Sequence, residues 1–385
     1  RETEVEKGPP WLNLYLSLML DVDVSHMAHM RLVADAAARR LFQPSPEVHN
    51  ADWNASSLRS AYDALVGAVT PAVLGPGFEL RHIIQACLLI LMRSFARESA
   101  LGDGLAEHIL VPIADQINHS PHPNATWTFG ARGEFVVKAL RPIEAGEEIL
   151  ISYGGSKTNV RLYRTYGFTL PAHLVPAASF RVWPTLASEV YTAFLPAGAI
   201  RRQVLDLETA TVDSSTRRAF EACAAHGSHP AAFLRTLCEH CILPYKQDLL
   251  LRPALDCLRR VRVVTPESHK WWSQADMAAD AIAGESLGVA ADAVAAASGR
   301  SVEDDAMGIG YREGGDSAWL ARCAVRVKMS EYICLAAHLE ALDLLDGKAV
   351  RSECLGLAEQ LEGLLSEAIA DAYDRAGVAG GSDPA

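Results

Sequence analysis

The sequence predicts an α+β protein in which the strands are confined to one central stretch, and three observations carry that reading. Apolar residues recur at helical spacing through the first hundred positions, and the same spacing returns from about residue 180 almost to the end. Between them, from His108 to Ser152, the period shortens to runs rich in Ile, Val, Thr and aromatics, separated by Gly- and Pro-containing turns. At 385 residues, half of them apolar, the chain is long enough for two ordinary domains with real cores.

The elements follow in order. Pro9-Pro10-Trp11 leads into an apolar run, Leu12 to Leu20, where proline suits a helix entrance because the first amides need no internal acceptor. Met27 to Phe42 and Ser56 to Val69 have helical spacing and stop before Pro44 and Pro71, and Leu80 to Arg97 reads as one long helix. Four short strands are expected next, at His108 to Ile113, Ala125 to Phe129, Phe135 to Ala139 and Glu148 to Ser152. Thr158 is positioned to cap a helix that Gly167 ends. Helices are then expected at Glu189 to Phe194, Arg201 to Leu207, Thr216 to Ala225, Ala231 to Ile242, Ala254 to Val264, Trp271 to Ala283 and Leu320 to Leu345. Residues 284 to 318 read as a loop rich in Ala, Gly and Asp, and Gly377 to Ala385 as a frayed tail.

Composition excludes several classes. A formal charge of -12, with basic residues scattered rather than striped, opposes nucleic acid as a partner. No run reaches the roughly 18 to 20 apolar residues of a membrane span. The eight cysteines are spread through helical segments, as expected of reduced thiols in an intracellular protein. Cys238-x-x-Cys241, with His226, His229 and His240 nearby, lacks a second pair at finger-like spacing, so two cysteines on adjacent turns of a buried helix are expected and a metal is not.

One stretch names a chemistry. Asp115-x-x-Asn118-His119-Ser120 is followed by Glu148-x-x-x-x-Tyr153-Gly154, then Asn159 and Tyr166-Gly167-Phe168. In this order and spacing the pattern resembles the C-terminal half of a SET-domain methyltransferase, in the branch that includes plant Rubisco large-subunit lysine methyltransferase. Trp11 and Tyr15 look like the entrance to that branch's helical insert. Fainter likenesses lie at Ala254 to Arg259, Ser301 to Asp305 and Arg322 to Leu335.

The resemblance implies the C-terminal half of a SET β-fold with a helical insert, followed by an all-α substrate-binding lobe. The divisions are 1–10 as a remnant or linker, 11–107 as the insert, 108–180 as the core, 181–376 as the lobe and 377–385 as a disordered tail. It implies S-adenosylmethionine as cofactor, a non-histone protein as substrate, and a monomeric enzyme without the zinc-binding cysteine clusters that often flank histone-directed SET domains. The compartment would be cytoplasmic, nuclear or plastid. Methyl transfer to an amine is an in-line displacement at an already activated carbon, so such a protein must align, desolvate and deprotonate. By resemblance Tyr153 is the catalytic tyrosine. Asn118 and His119 hold the amino-acid end of the cofactor, Asp115 joins that contact set, and Arg93, in Met92-Arg93-Ser94-Phe95, meets its carboxylate. Tyr166 and Phe168 close the pocket, and Arg97 matches a position linked to substrate.

The family's Gly-x-Gly turn has no match before Trp11, and Gly75-Pro76-Gly77 and Gly308-Ile309-Gly310 are the nearest strings. The chain therefore reads as a piece of a longer protein, or as a form that has lost one wall of its cofactor site. Two alternatives stay open beside a lysine methyltransferase: a histidine-directed one, and a non-catalytic adaptor binding a partner through its helical lobe.

Overall fold

The computed structural model describes residues 9–20, 32–33, 36–75, 77–98, 106–154, 157–170, 179–201, 203–209, 212–252, 255, 317–348 and 355–375. The expectations for residues 27–31, 256–264, 271–283, 284–316 and 377–385, with the Gly308 string, lie outside these.

The N-terminal region is helical: α1 (Pro10–Leu20), α2 (Ala36–Phe42), α3 (Glu47–Ala68), the short α4 (Pro71–Leu74) and α5 (Leu80–Arg93). Helix α3 starts at Glu47, nine positions before the expected Ser56. Its first turns, Glu47-Val48-His49-Asn50, show no apolar period, yet Glu47, Val48, Asn50 and Ala51 are buried. Polar side chains carry that burial. Arg164 Nε donates to Glu47 Oε2 at 3.0 Å, Asn50 Nδ2 to Glu47 Oε1 at 2.7 Å, and Trp183 Nε1 to Asn50 Oδ1 at 2.9 Å.

The long helix expected to run to Arg97 ends instead at Arg93, and Ser94–Glu98 becomes strand β1, antiparallel to β2 (Ala106–Leu110). Tertiary packing overrides helical propensity here. In the strand, Phe95 sets its ring 5.0 Å from Trp127 and 4.6 Å from Phe135. Strand β2 also stops short of the expected Ile113. Pro112 has no N–H to continue a ladder, and the chain turns through Ile113, at φ 76°, into a 3-10 turn at Ala114–Gln116.

Strand β3 (Asn118–His119), absent from the sequence reading, runs parallel to β6 (Leu150–Ile151), all that forms of the strand expected from Glu148 to Ser152. Strands β4 (Ala125–Phe129) and β5 (Phe135–Ala139) pair antiparallel at their expected bounds. Helix α6 (Asn159–Tyr166) is capped as expected: Thr158 accepts from the Arg161 amide, and Gly167 takes the left-handed conformation, φ 79°, that a helix C-terminus favours in glycine.

The C-terminal lobe is helical, with α7 (Ser188–Phe194), α8 (Ala197–Ile200), α9 (Ser214–Ala225), α10 (Pro230–Gln247), α11 (Ser317–Leu345) and α12 (Leu355–Arg375). It is not purely α, because it encloses an antiparallel ribbon of β7 (Ser179–Val182) and β8 (Leu205–Glu208). The helix expected at Arg201 to Leu207 is thereby corrected. Leu205 and Leu207 are buried while Asp206 and Glu208 are half-buried, a period of two that a seven-residue window hides. Cys238 and Cys241 lie in the lobe core on successive turns of α10, where burial raises both thiol pKa values.

Helix α11 joins the two parts. Val325, Met329, Cys334 and Leu335 belong to the lobe core, while Leu320, Cys323, Ala324 and Val327 pack with Phe42, Val48, Val160 and Tyr163 from the N-terminal region and α6. A buried polar seam follows the same boundary. Ser45 Oγ and Tyr245 OH donate to the two oxygens of Glu331 at 2.7 and 2.9 Å, and Lys328 Nζ donates to Asp248.

Candidate active site

The site grows from the shortest strands. Pairing of His119 with Ile151 and donation from the Ser120 amide to the Ile151 carbonyl, at 3.0 Å, fix the β3 strand beside β6. The chain leaving β6 then brings the Tyr153 amide to His119 Nδ1 at 3.1 Å. The Tyr153 hydroxyl reaches across and donates to the Ile117 carbonyl at 2.8 Å. Four rings form one cluster: Tyr153 lies 4.6 Å from Tyr166 and 5.1 Å from His119, and Phe168 lies 5.9 to 6.4 Å from His119, Tyr166 and Tyr153. Tyr166 ends α6, and the left-handed turn at Gly167 lies between it and Phe168, so helix capping and ring placement come from one local device.

Burial raises the pKa of Tyr153 above the ordinary phenol value; Arg93 opposes the shift, and Asp115 and Glu148 add to it. Tyr166 is pushed up to about 12, chiefly by burial and then by Tyr153. Both remain neutral phenols at physiological pH. The arrangement can orient a polar N–H and exclude water without presenting an anion.

On the neighbouring 3-10 turn, Arg93 Nη1 donates to the Asp115 carbonyl at 2.7 Å, and the Tyr15 hydroxyl donates to Asp115 Oδ2 at 2.8 Å. Arg93 Nε and Asp115 Oδ1 are buried and have no hydrogen-bond partner among the described residues. A buried orphan donor and acceptor are costly unless something uses them, and such groups concentrate at functional sites. Asn118 stands at the exposed margin, its Nδ2 donating to Glu148 Oε1 at 2.6 Å.

Six of the eight residues picked out from the sequence are therefore linked in two sets, the rings of Tyr153, His119, Tyr166 and Phe168 and the polar pair Arg93 and Asp115. Asn118 adjoins them through the strand it shares with His119. Arg97 does not join them in the described contacts. It sits on β1, with Nε 2.9 Å from Glu107 Oε2 and its guanidinium 5.5 Å from the Phe129 ring centroid. Two further participants were missed. Tyr15 read only as part of the helix entrance, although an aromatic hydroxyl within an otherwise apolar run was a signal that it needed a partner. Glu148 stood in the motif without a role, and only pairing with Asn118 supplies one.

Residues 31–154 match the family model of the SET domain. The match runs through the helical segment and ends at Gly154, so Tyr166 and Phe168 lie beyond it. No curated protein matches the chain. Among solved structures, the SET domain of LSMT bound to lysine and AdoHcy is 15% identical with a TM-score of 0.45, covering 89% of this chain and 76% of that one. Rubisco LSMT bound to AdoMet is 15% identical at TM-score 0.44, with the same coverage. The SET domain of LSMT bound to methyllysine and AdoHcy is 16% identical at TM-score 0.45, covering 90% and 79%. The family match spans the Asp115 to His119 motif and Tyr153, so these site residues lie within a stretch, 31–154, that is similar to the SET domain.

Proposed function

We propose that the protein is an S-adenosylmethionine-dependent protein methyltransferase that modifies a side-chain amine, lysine, of a non-histone protein. The cluster of the Tyr153, His119, Tyr166 and Phe168 rings, with the Tyr153 hydroxyl held by the Ile117 carbonyl, carries the reading. A channel for an amine nucleophile must favour its neutral form and direct its lone pair, and apolar rings with non-ionising hydroxyls and carbonyls do both.

The residues present fit the cofactor. The amino-acid end of S-adenosylmethionine is a zwitterion, and the orphan Nε–H of Arg93 beside the orphan oxygen of Asp115 offers one partner of each sign. Arg93, Asp115, Asn118 and His119 would hold that end, with Tyr166 and Phe168 closing over it. When bound, the group supplies an electrophilic methyl on a sulfonium. Tyr153 would orient the amine: its hydroxyl already donates to Ile117 O, which leaves the phenolic oxygen free to accept an N–H. The rings exclude water from the displacement. Arg97, on β1, would meet the protein substrate rather than the cofactor.

Calorimetry with S-adenosylhomocysteine, together with heavy-methyl transfer onto lysate proteins read by mass spectrometry, tests this reading. Binding and label on lysine are expected. Tyr153→Phe should keep binding and lose about 100-fold in transfer, the cost of one preorganised polar group. Label on histidine would redirect the specificity, and absence of binding would leave only the adaptor reading.

A further inference from the structure

Lys157 is the described lysine that lies against the ring cluster, and the proposed mechanism does not use it. Its Nζ stands 5.7 Å from the centroid of the Tyr166 ring, which itself packs 4.6 Å from Tyr153. The position is built by a turn: the Lys157 amide donates to the Gly154 carbonyl at 3.2 Å, and the side chain folds back over Gly154. A Cβ at residue 154 would meet Lys157 Cε at 3.2 Å and Cγ at 3.4 Å. Gly154 also has φ 135°, a conformation that other residues rarely take. The glycine after the central tyrosine thus permits both the strand exit and the return of a lysine stem to the rings.

From this geometry we infer that Lys157 is an internal methyl acceptor, modified by the protein's own site in cis. The inference rests on the methyltransferase reading above. Tyr166 packs 4.6 Å from Tyr153, the residue to which the reading gives the orienting of the substrate amine, and a flexible four-carbon stem lets Nζ turn from Tyr166 towards Tyr153. Burial, and then the neighbouring Arg161 guanidinium, lower the pKa of Lys157, which favours the neutral amine.

The step balances. The Lys157 ammonium first gives a proton to solvent, and the Nζ lone pair then forms the N–CH3 bond. The S–CH3 bond of S-adenosylmethionine breaks with its electron pair staying on sulfur, so a neutral amine and a sulfonium become a methylammonium and a neutral thioether. Such a modification would enlarge the head group beside Tyr166 and tune access of an external amine.

The test incubates the full chain with heavy-methyl S-adenosylmethionine and maps label by peptide mass spectrometry. In parallel, competitive acylation of lysines is measured with and without S-adenosylhomocysteine. Label on Lys157 at a rate independent of protein concentration is expected, falling to background in Tyr153→Phe, while the cofactor product changes acylation of Lys157 but not of the exposed Lys138. Label on other lysines or on added proteins but not on Lys157 overturns the inference and leaves the methyltransferase reading standing. A labelling rate that rises with protein concentration overturns the in-cis step. Acylation of Lys157 that is indifferent to S-adenosylhomocysteine, when calorimetry shows that it binds, overturns the placement. No binding at all removes both readings.

Discussion

The SET core and the helical lobe solve opposite problems. In the core, Phe95, Ala114, Ala125 and Ile151 are buried beneath two-stranded ribbons, and most of the site's side chains are half-exposed. In the lobe, one continuous core runs from Phe180 through Phe220, Phe233 and Tyr245 to Leu361. The difference teaches where the site gets its rigidity. Ribbons this thin hold few buried apolar groups, so α6, which carries Tyr166, is fixed from the other side. Val160 and Tyr163 pack with Cys323 and Val327 of α11, and Arg164 pairs with Glu47. The lobe therefore serves as the foundation of the ring cluster.

Four tests would break or sharpen this contrast. Phe233→Ala removes a fully buried ring from the lobe core and should cost about 4 kcal/mol, measured by urea unfolding, with cofactor binding lost as the lobe loosens. Arg164→Met takes the Arg164 guanidinium away from Glu47, whose side chain is 2% exposed. About 3 kcal/mol is expected, towards the low end for buried pairs because Arg164 is 21% exposed, and Glu47→Gln in the same chain should recover much of it. A full loss in Phe233→Ala with no effect in Arg164→Met would show that α6 does not depend on the boundary seam.

The third test is a pH dependence. Burial, and then Glu47, push Glu331 from 4.5 up to about 8. For a group raised on folding, the stabilising contribution is complete below the unfolded value and is lost as pH rises through the folded one. Tm should therefore decline between about pH 5 and 8 by a few degrees, and Glu331→Gln should flatten that decline. A slope unchanged by the substitution would remove Glu331 as its source. The smallest effect belongs to Arg97→Ala, which breaks a half-exposed ion pair and should cost under about 1 kcal/mol. If Arg97 meets the protein substrate, KM rises at unchanged kcat and S-adenosylhomocysteine affinity stays the same; an unchanged KM would return it to a structural role.

Much of the site was legible in the sequence because its residues come from two compact stretches, Asp115 to His119 and Tyr153 to Phe168, whose spacing is set by a few short elements. The capping of α6 by Thr158 and Gly167 was legible for the same local reason. What escaped had non-local causes. Ser94 to Arg97 reads as helix until Phe95 finds Trp127 and Phe135, and Glu47 to Ala51 reads as loop until Arg164 and Trp183 reach it from distant parts of the chain. Asn118–His119 and Leu150–Ile151 are too short for any period to show, and pairing alone makes them strands.

The sequence by itself determined the SET motif, the helical character of the lobe and the identities of the chemical groups, because motif order, periodicity and side-chain chemistry are written along the chain. Tertiary structure alone decided that Tyr15 serves Asp115, that Lys157 faces the rings and that α11 supports the site from below. Those relations depend on which surfaces are driven together when apolar area is buried, and no local pattern encodes a partner a hundred residues away.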